Sequence, residues 1–191
     1  MPSVYPDRRV ILNVDTNQRL LRVMEGDKIV KSYPVAVGSQ KTPTPVGGYT
    51  IIHKAHWGGA FGTRWMGLSV PWGTYGIHGT NKPASIGKSV SHGCIRMLNR
   101  HVEEVYDIVA IGTQVEIKGK ILYCPLALAS RGNLVQMVQA RLKDMGLYQG
   151  TLDGIFSSQT AEAVARFQQE AGLKVTAQIY RDDLEKLGVW I

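Results

Sequence analysis

The chain has 191 residues, 44% of them apolar, enough for one large domain or a medium domain followed by a small one. No apolar run approaches the roughly eighteen residues that a membrane-spanning helix needs, and Met1 to Arg9 lacks the apolar stretch of a secretory signal. The net charge of +7 is scattered, and aromatic residues do not interleave with it. That argues against nucleic acid and leaves a solvated basic surface, an anionic membrane surface or an anionic wall polymer.

The predicted elements begin with strands. Arg9 to Val14 is a β-branched run, Asp15-Thr16-Asn17 is turn-like, and Gln18 to Glu25 resumes the strand pattern. Gly26-Asp27 makes another turn, and Lys28 to Val37 a third strand, broken at Pro34. Tyr49 to His53 and Leu68 to Val70 are further candidates, and Gln114 to Lys118 is a short alternating strand. Between them lies one clear helix. Asn99 is its expected N-cap, Glu103 and Glu104 fall in the expected first turn, Val102, Val105, Tyr106 and Val109 follow at helical spacing, and Gly112 ends it.

Gly119 to Ser130 is the expected linker. Beyond it, Asn133 and Gln136 suggest a capping box, and Leu134, Met137, Val138, Leu142 and Met145 form an apolar stripe stopped by Gly146. A second helix is expected over Ser158 to Ala171, burying Ala161, Val164 and Phe167, and a third over Arg181 to Leu187. The fold class expected is α+β. It comprises a mostly antiparallel, β-sandwich-like domain with one main helix, then a small all-α domain of three helices.

The chemistry points to Ser91-His92-Gly93-Cys94-Ile95-Arg96. A nucleophilic cysteine needs a partner, because a free thiol of pKa about 8.5 is a few per cent ionised at neutral pH, and a nearby imidazolium lowers that value. His78, sixteen positions earlier in Ile77-His78-Gly79-Thr80-Asn81, is available to fold back onto it. Gly93 permits close backbone approach, and the amides of Gly93 and Cys94 could hold an oxyanion. Two other readings stay open on these residues alone: a buried structural thiol, and a zinc site built from His78, His92 and Cys94. Cys94 and Cys124 do not make a disulfide framework, and both are expected as free thiols.

His78-Gly79-Thr80-Asn81, Ser85-Ile86-Gly87-Lys88 and Ser91-His92-Gly93-Cys94-Ile95-Arg96-Met97 resemble, in order, the signature of the YkuD-type L,D-transpeptidases. Thr42-Pro43-Thr44-Pro45-Val46-Gly47 upstream, and Asn99 and Gly112-Thr113-Gln114-Val115 downstream, extend the likeness. The resemblance implies a cysteine acyltransferase that cross-links peptidoglycan. Cys94 would be its nucleophile and His78 its general base, with the imidazole tautomer fixed by the Gly79 carbonyl. His92, Gly93, Arg96 and Ser91 would serve the oxyanion, the substrate or the loop, with no metal and no cofactor. Trp57, Trp65 and Trp72 precede His78 and either line the cleft or pack the sheet. Water in place of the acceptor amine would make an L,D-carboxypeptidase, and a non-catalytic wall-binding protein is the third possibility.

Residues 131 to 189 resemble the small three-helix peptidoglycan-binding module, through Val138-Gln139-Ala140-Arg141-Leu142, Gly146-Leu147-Tyr148, Asp153-Gly154-Ile155-Phe156 and Phe167-Gln168. The domains implied are 1–118 catalytic, 119–130 linker and 131–191 wall-binding. The implied partners are peptidoglycan stem peptides and glycan, with carbapenems as inhibitors and no nucleic acid or membrane span. The implied location is the cell envelope, either wall or spore.

Overall fold

The structure, a computed structural model, describes residues 10–119 and 125–189. The expectations for Arg9 and Cys124, and the first half of the linker, lie outside the described residues. The chain divides into two compact units, Met1–Gly119 and Lys120–Ile191.

The first unit contains β1 (Val10–Asp15), β2 (Leu20–Glu25), β3 (Lys28–Pro34), β4 (Val37–Gly38), β5 (Gly47–Ala55), β6 (Trp65–Leu68), β7 (Gly76–His78), β8 (Ser89–Ser91) and β9 (Ile95–Arg96), then α1 (Asn99–Ile108) and β10 (Gln114–Lys118). Eight strands form one sheet in the order β3-β2-β1-β10-β5-β6-β7-β9, and β4 pairs with β8. The period-2 pattern sets which face is buried. Leu12 and Val14 of β1, Leu21 and Val23 of β2, and Val115 and Ile117 of β10 are buried, while Asn13, Arg22 and Glu116 between them are not. Val102 and Val105 bring α1 into the core, and the helix sits against β7.

The β1-β2-β3 and β5-β6-β7 runs are antiparallel, as a mostly antiparallel domain requires. The β1–β10, β7–β9 and β4–β8 pairs are parallel. Pro34 does end its strand. The strand expected at Leu68 to Val70 is instead Trp65–Leu68.

Several helix ends differ from expectation. Leu98, not Asn99, is the N-cap of α1, and its C-cap is Val109 rather than a glycine. Glu103 and Glu104 therefore fall in the second turn. There Glu103 accepts from the Thr63 hydroxyl at 2.6 Å, and Glu104 from Lys31 and Tyr33 at 2.7 and 2.9 Å.

The second unit holds α2 (Asn133–Asp144), α3 (Ser158–Glu170) and α4 (Arg181–Lys186). No capping box forms at Asn133, because Gly132 is the N-cap and the Gln136 amide donates instead to the Leu152 carbonyl at 3.0 Å. Met145 is exposed, and α3 buries Ala163 where Ala161 was expected. Each helix ends in a left-handed glycine: Gly146, Gly172 and Gly188. The following amide bonds back five residues, Leu147 to Leu142, Leu173 to Gln168 and Val189 to Leu184.

Two buried glutamines fix the loops between these helices. Gln139 donates to Asp153 (2.9 Å) and the Ile155 carbonyl (3.1 Å) and accepts from the Gly154 amide (3.0 Å). Gln168 donates to Asp183 (2.9 Å) and accepts from the Thr176 and Ala177 amides (2.9 and 3.0 Å). Buried polar groups that are satisfied this fully specify a fold.

Candidate active site

Cys94 lies on the loop between β8 and β9, and His78 ends β7. In the parallel β7–β9 pair His78 stands opposite Arg96 and Ile77 opposite Ile95. One step back in that register, Cys94 falls beside Gly76. His78 and Arg96, opposite each other, share one face of the pair, and Cys94 stands directly before β9. The Gly76 N–H points to the Cys94 sulfur, and the Thr74 carbonyl lies 4.0 Å from Sγ.

His78 is 3% exposed, and its Nδ1 lies 2.5 Å from the Gly79 carbonyl oxygen. A carbonyl only accepts, so Nδ1 carries the proton and Nε2 is the basic nitrogen. Gly79 is a glycine for steric reasons. A Cβ there would lie 2.3 Å from Asn99 Oδ1 and 3.0 Å from the Thr63 amide. Asn99 Oδ1 accepts from the Thr80 amide at 3.0 Å, so it braces the residues after the histidine instead of capping α1.

The nucleophile loop hangs from Ser91. Its buried hydroxyl donates to the Cys94 carbonyl at 2.6 Å and accepts from the Gly93 amide at 3.1 Å. Its carbonyl accepts from the Ser39 amide and the Thr42 hydroxyl, both at 3.0 Å. Thr44 in turn accepts from the Gly38 amide at 2.8 Å. Residues Thr42 to Thr44 are thus a strut for the loop. Gly93 has φ 113°, a region that favours glycine. Its N–H donates to the Ser91 hydroxyl.

The electrostatics run opposite to the expected thiolate–imidazolium pair. Burial pushes the imidazole of His78 down to about 4, opposed by the Gly79 and Phe61 carbonyls and helped by the Arg96 charge. Burial also pushes the Cys94 thiol up, against the pull of the Gly76 N–H and Arg96. At neutral pH the pair rests as thiol and imidazole. Arg96 is half-buried, and among the described residues no carboxylate pairs with it. His92 is exposed. Among the described residues no three His, Cys, Asp or Glu side chains converge as a metal site would require.

Tyr75, buried next to Cys94, and Phe61, against His78, belong to the site but not to the sequence reading. The glycines around them, Gly73 and Gly76 beside Tyr75 and Gly62 after Phe61, were the available signal. Of the tryptophans, Trp65 is buried, Trp72 is half-buried and Trp57 is exposed.

Residues 7–117 match the YkuD family, described as the L,D-transpeptidase catalytic domain, and residues 131–179 match the family described as "Putative peptidoglycan binding domain". A Bacillus licheniformis protein named "Putative L,D-transpeptidase YkuD" is 50% identical over 117 residues, covering 61% of this chain and 68% of its own. Among solved structures, an L,D-transpeptidase from Mycobacterium smegmatis aligns with a TM-score of 0.50 and 22% identity, over 58% of this chain and 59% of that one. The LD transpeptidase LdtMt1 in complex with imipenem aligns with a TM-score of 0.50 and 20% identity, over 58% of this chain and 59% of that one. The chain therefore spans under two thirds of those solved chains, and at such identity they show the shared fold.

Proposed function

The chain belongs to the YkuD family of L,D-transpeptidase catalytic domains, and on that premise we propose that it is a cysteine acyltransferase acting on peptidoglycan stem peptides, with Cys94 as nucleophile and His78 as general base. The observation that supports this most is that β7 begins with Gly76, whose N–H points to the Cys94 sulfur, and ends with His78, whose Nδ1 is on the Gly79 carbonyl.

In this reading Nε2 of His78 takes the thiol proton as Sγ attacks the amide carbonyl between the L-centre of diaminopimelate and the terminal D-Ala. The oxyanion forms near the Cys94 amide. The imidazolium gives its proton to the departing D-Ala amine, the C–N bond breaks and a thioester remains on Cys94. An amine of a second stem then attacks the thioester and loses its proton through His78. The new amide forms and the thiol is restored. A neutral imidazole suits this sequence, because a base has to arrive unprotonated. Arg96, free of a carboxylate partner among the described residues, offers its planar fork to a substrate carboxylate.

The two matched families support a partition into a catalytic domain over 1–118, a linker over 119–130 and a wall-binding domain over 131–191. Among the described residues no helix is long and apolar enough to cross a membrane, and the site of action in this reading is the cell wall or spore envelope. Imipenem tests the nucleophile. The protein should gain a single adduct that maps to Cys94, and Cys94→Ala should gain none. An adduct on Cys124, or none on the folded wild type, would refute the assignment.

A further inference from the structure

His78 sits among aromatic rings that the scheme above leaves without a role. Trp65 stands opposite it in the β6–β7 register, and its indole stacks on the imidazole with centroids 5.5 Å apart and planes 26° apart. Phe61 meets the same imidazole at 5.1 Å and 65°. Phe61 and Trp65 meet each other edge to face at 5.6 Å, and Trp57 stacks on Trp65 at 4.6 Å. The rings follow a gradient from buried Trp65 (3% exposed) to half-open Phe61 (41%) and Trp57 (42%).

Glycine makes the seat for Trp65. A Cβ on Gly76 would lie 2.6 Å from the indole ring. That same glycine presents its N–H to the Cys94 sulfur.

We propose that Trp65 and Phe61 are positioning residues for the general base, holding the imidazole plane so that Nδ1 stays on the Gly79 carbonyl and Nε2 faces the thiol. The proposal rests on the reading of His78 as the base. Backbone carbonyls of Gly79 and Phe61 hold the edge of the imidazole, and the ring contacts fix its plane. They also exclude water, which keeps the resting imidazole neutral. When the proton arrives, the imidazolium meets aromatic rings, a favourable partner for a cation. The charged group acting on the ring is Arg96 from β9. The Gly79 and Phe61 carbonyls complete its polar surroundings.

The test uses the full chain, as wild type, Phe61→Leu and Trp65→Leu. The His78 imidazole is titrated by NMR on labelled histidine, and Cys94 acylation by imipenem is timed from pH 5 to pH 8. Opening the box should move the imidazole titration up toward the ordinary histidine value near 6.5. At pH 5 acylation should then fall about tenfold relative to pH 8, where the wild type shows no such loss through His78. An unchanged titration and an unchanged ratio in the variants would overturn the proposal, even if all rates fell uniformly. Phe61 is half-open, so Phe61→Leu decides the matter if Trp65→Leu fails to fold. A wild type that titrates as described but is never acylated would refute the catalytic reading, while the titrations still report on the box.

Discussion

Burial moves the His78 imidazole down to about 4 and the Cys94 thiol up, so each group resists the charge that the proposed mechanism gives it. This has a consequence for stability. In the unfolded chain the imidazole titrates near 6.5, so below that pH the unfolded state binds a proton that the native state refuses. The contribution is fully present above pH 6.5 and is lost as pH falls toward about 4. Urea unfolding of the wild type should show midpoints that decline across that window, and His78→Gln should remove that part of the decline. The same slope in both proteins would contradict the assigned burial of charge. The sequence named these two residues, since the ordered signature around them is long. It did not give the direction of their titration, because that depends on how deeply the fold buries each group.

At the scale of elements, the site is three short strands and the loop they suspend. Strands β7 and β8 have three residues each and β9 has two, too few for alternation to register in a sequence. Their parallel pairing is likewise invisible to a reading that expects mostly antiparallel neighbours. Strands β1, β2 and β10 were legible because their period-2 pattern runs through five or six residues, while β3 and β5, which do not alternate, were legible by their length. The helix caps were misread where a tertiary partner claimed the side chain, Thr80 for Asn99 and Leu152 for Gln136. Ser91→Ala should cost about 1–3 kcal/mol, because the buried Gly93 amide loses its acceptor. It should also slow acylation of Cys94 as the loop loosens. Gly79→Ala should cost a similar ~1–3 kcal/mol from overpacking against Asn99 and should displace the carbonyl that holds the imidazole. Thermal denaturation beside acylation rates checks both, and a Gly79→Ala protein with wild-type stability and rate would show that the close approach is dispensable.

At the scale of the molecule, two compact units each carry their own core, Leu12, Ile77 and Val115 in one and Val138, Phe156 and Phe167 in the other. The residues by which the second unit resembles a wall-binding module are mostly its buried scaffold, as Gln139 and Gln168 show, so they identify the fold more firmly than the ligand. In the proposed partition, residues 131–191 tether the enzyme to its polymer and raise the effective concentration of stem peptides. Removing them should weaken co-sedimentation with insoluble peptidoglycan while leaving the turnover of soluble muropeptides near that of the full chain. Equal sedimentation with and without them would reduce the unit to an appendage. The most direct test of the central claim is mass spectrometry after incubation with tetrapeptide muropeptides. The account predicts a Cys94-linked acyl-enzyme lacking D-Ala, free D-Ala and cross-linked dimers, with turnover lower by several orders of magnitude in Cys94→Ala. Substantial turnover in Cys94→Ala, or a folded wild type that yields neither acyl-enzyme nor dimers, would contradict it.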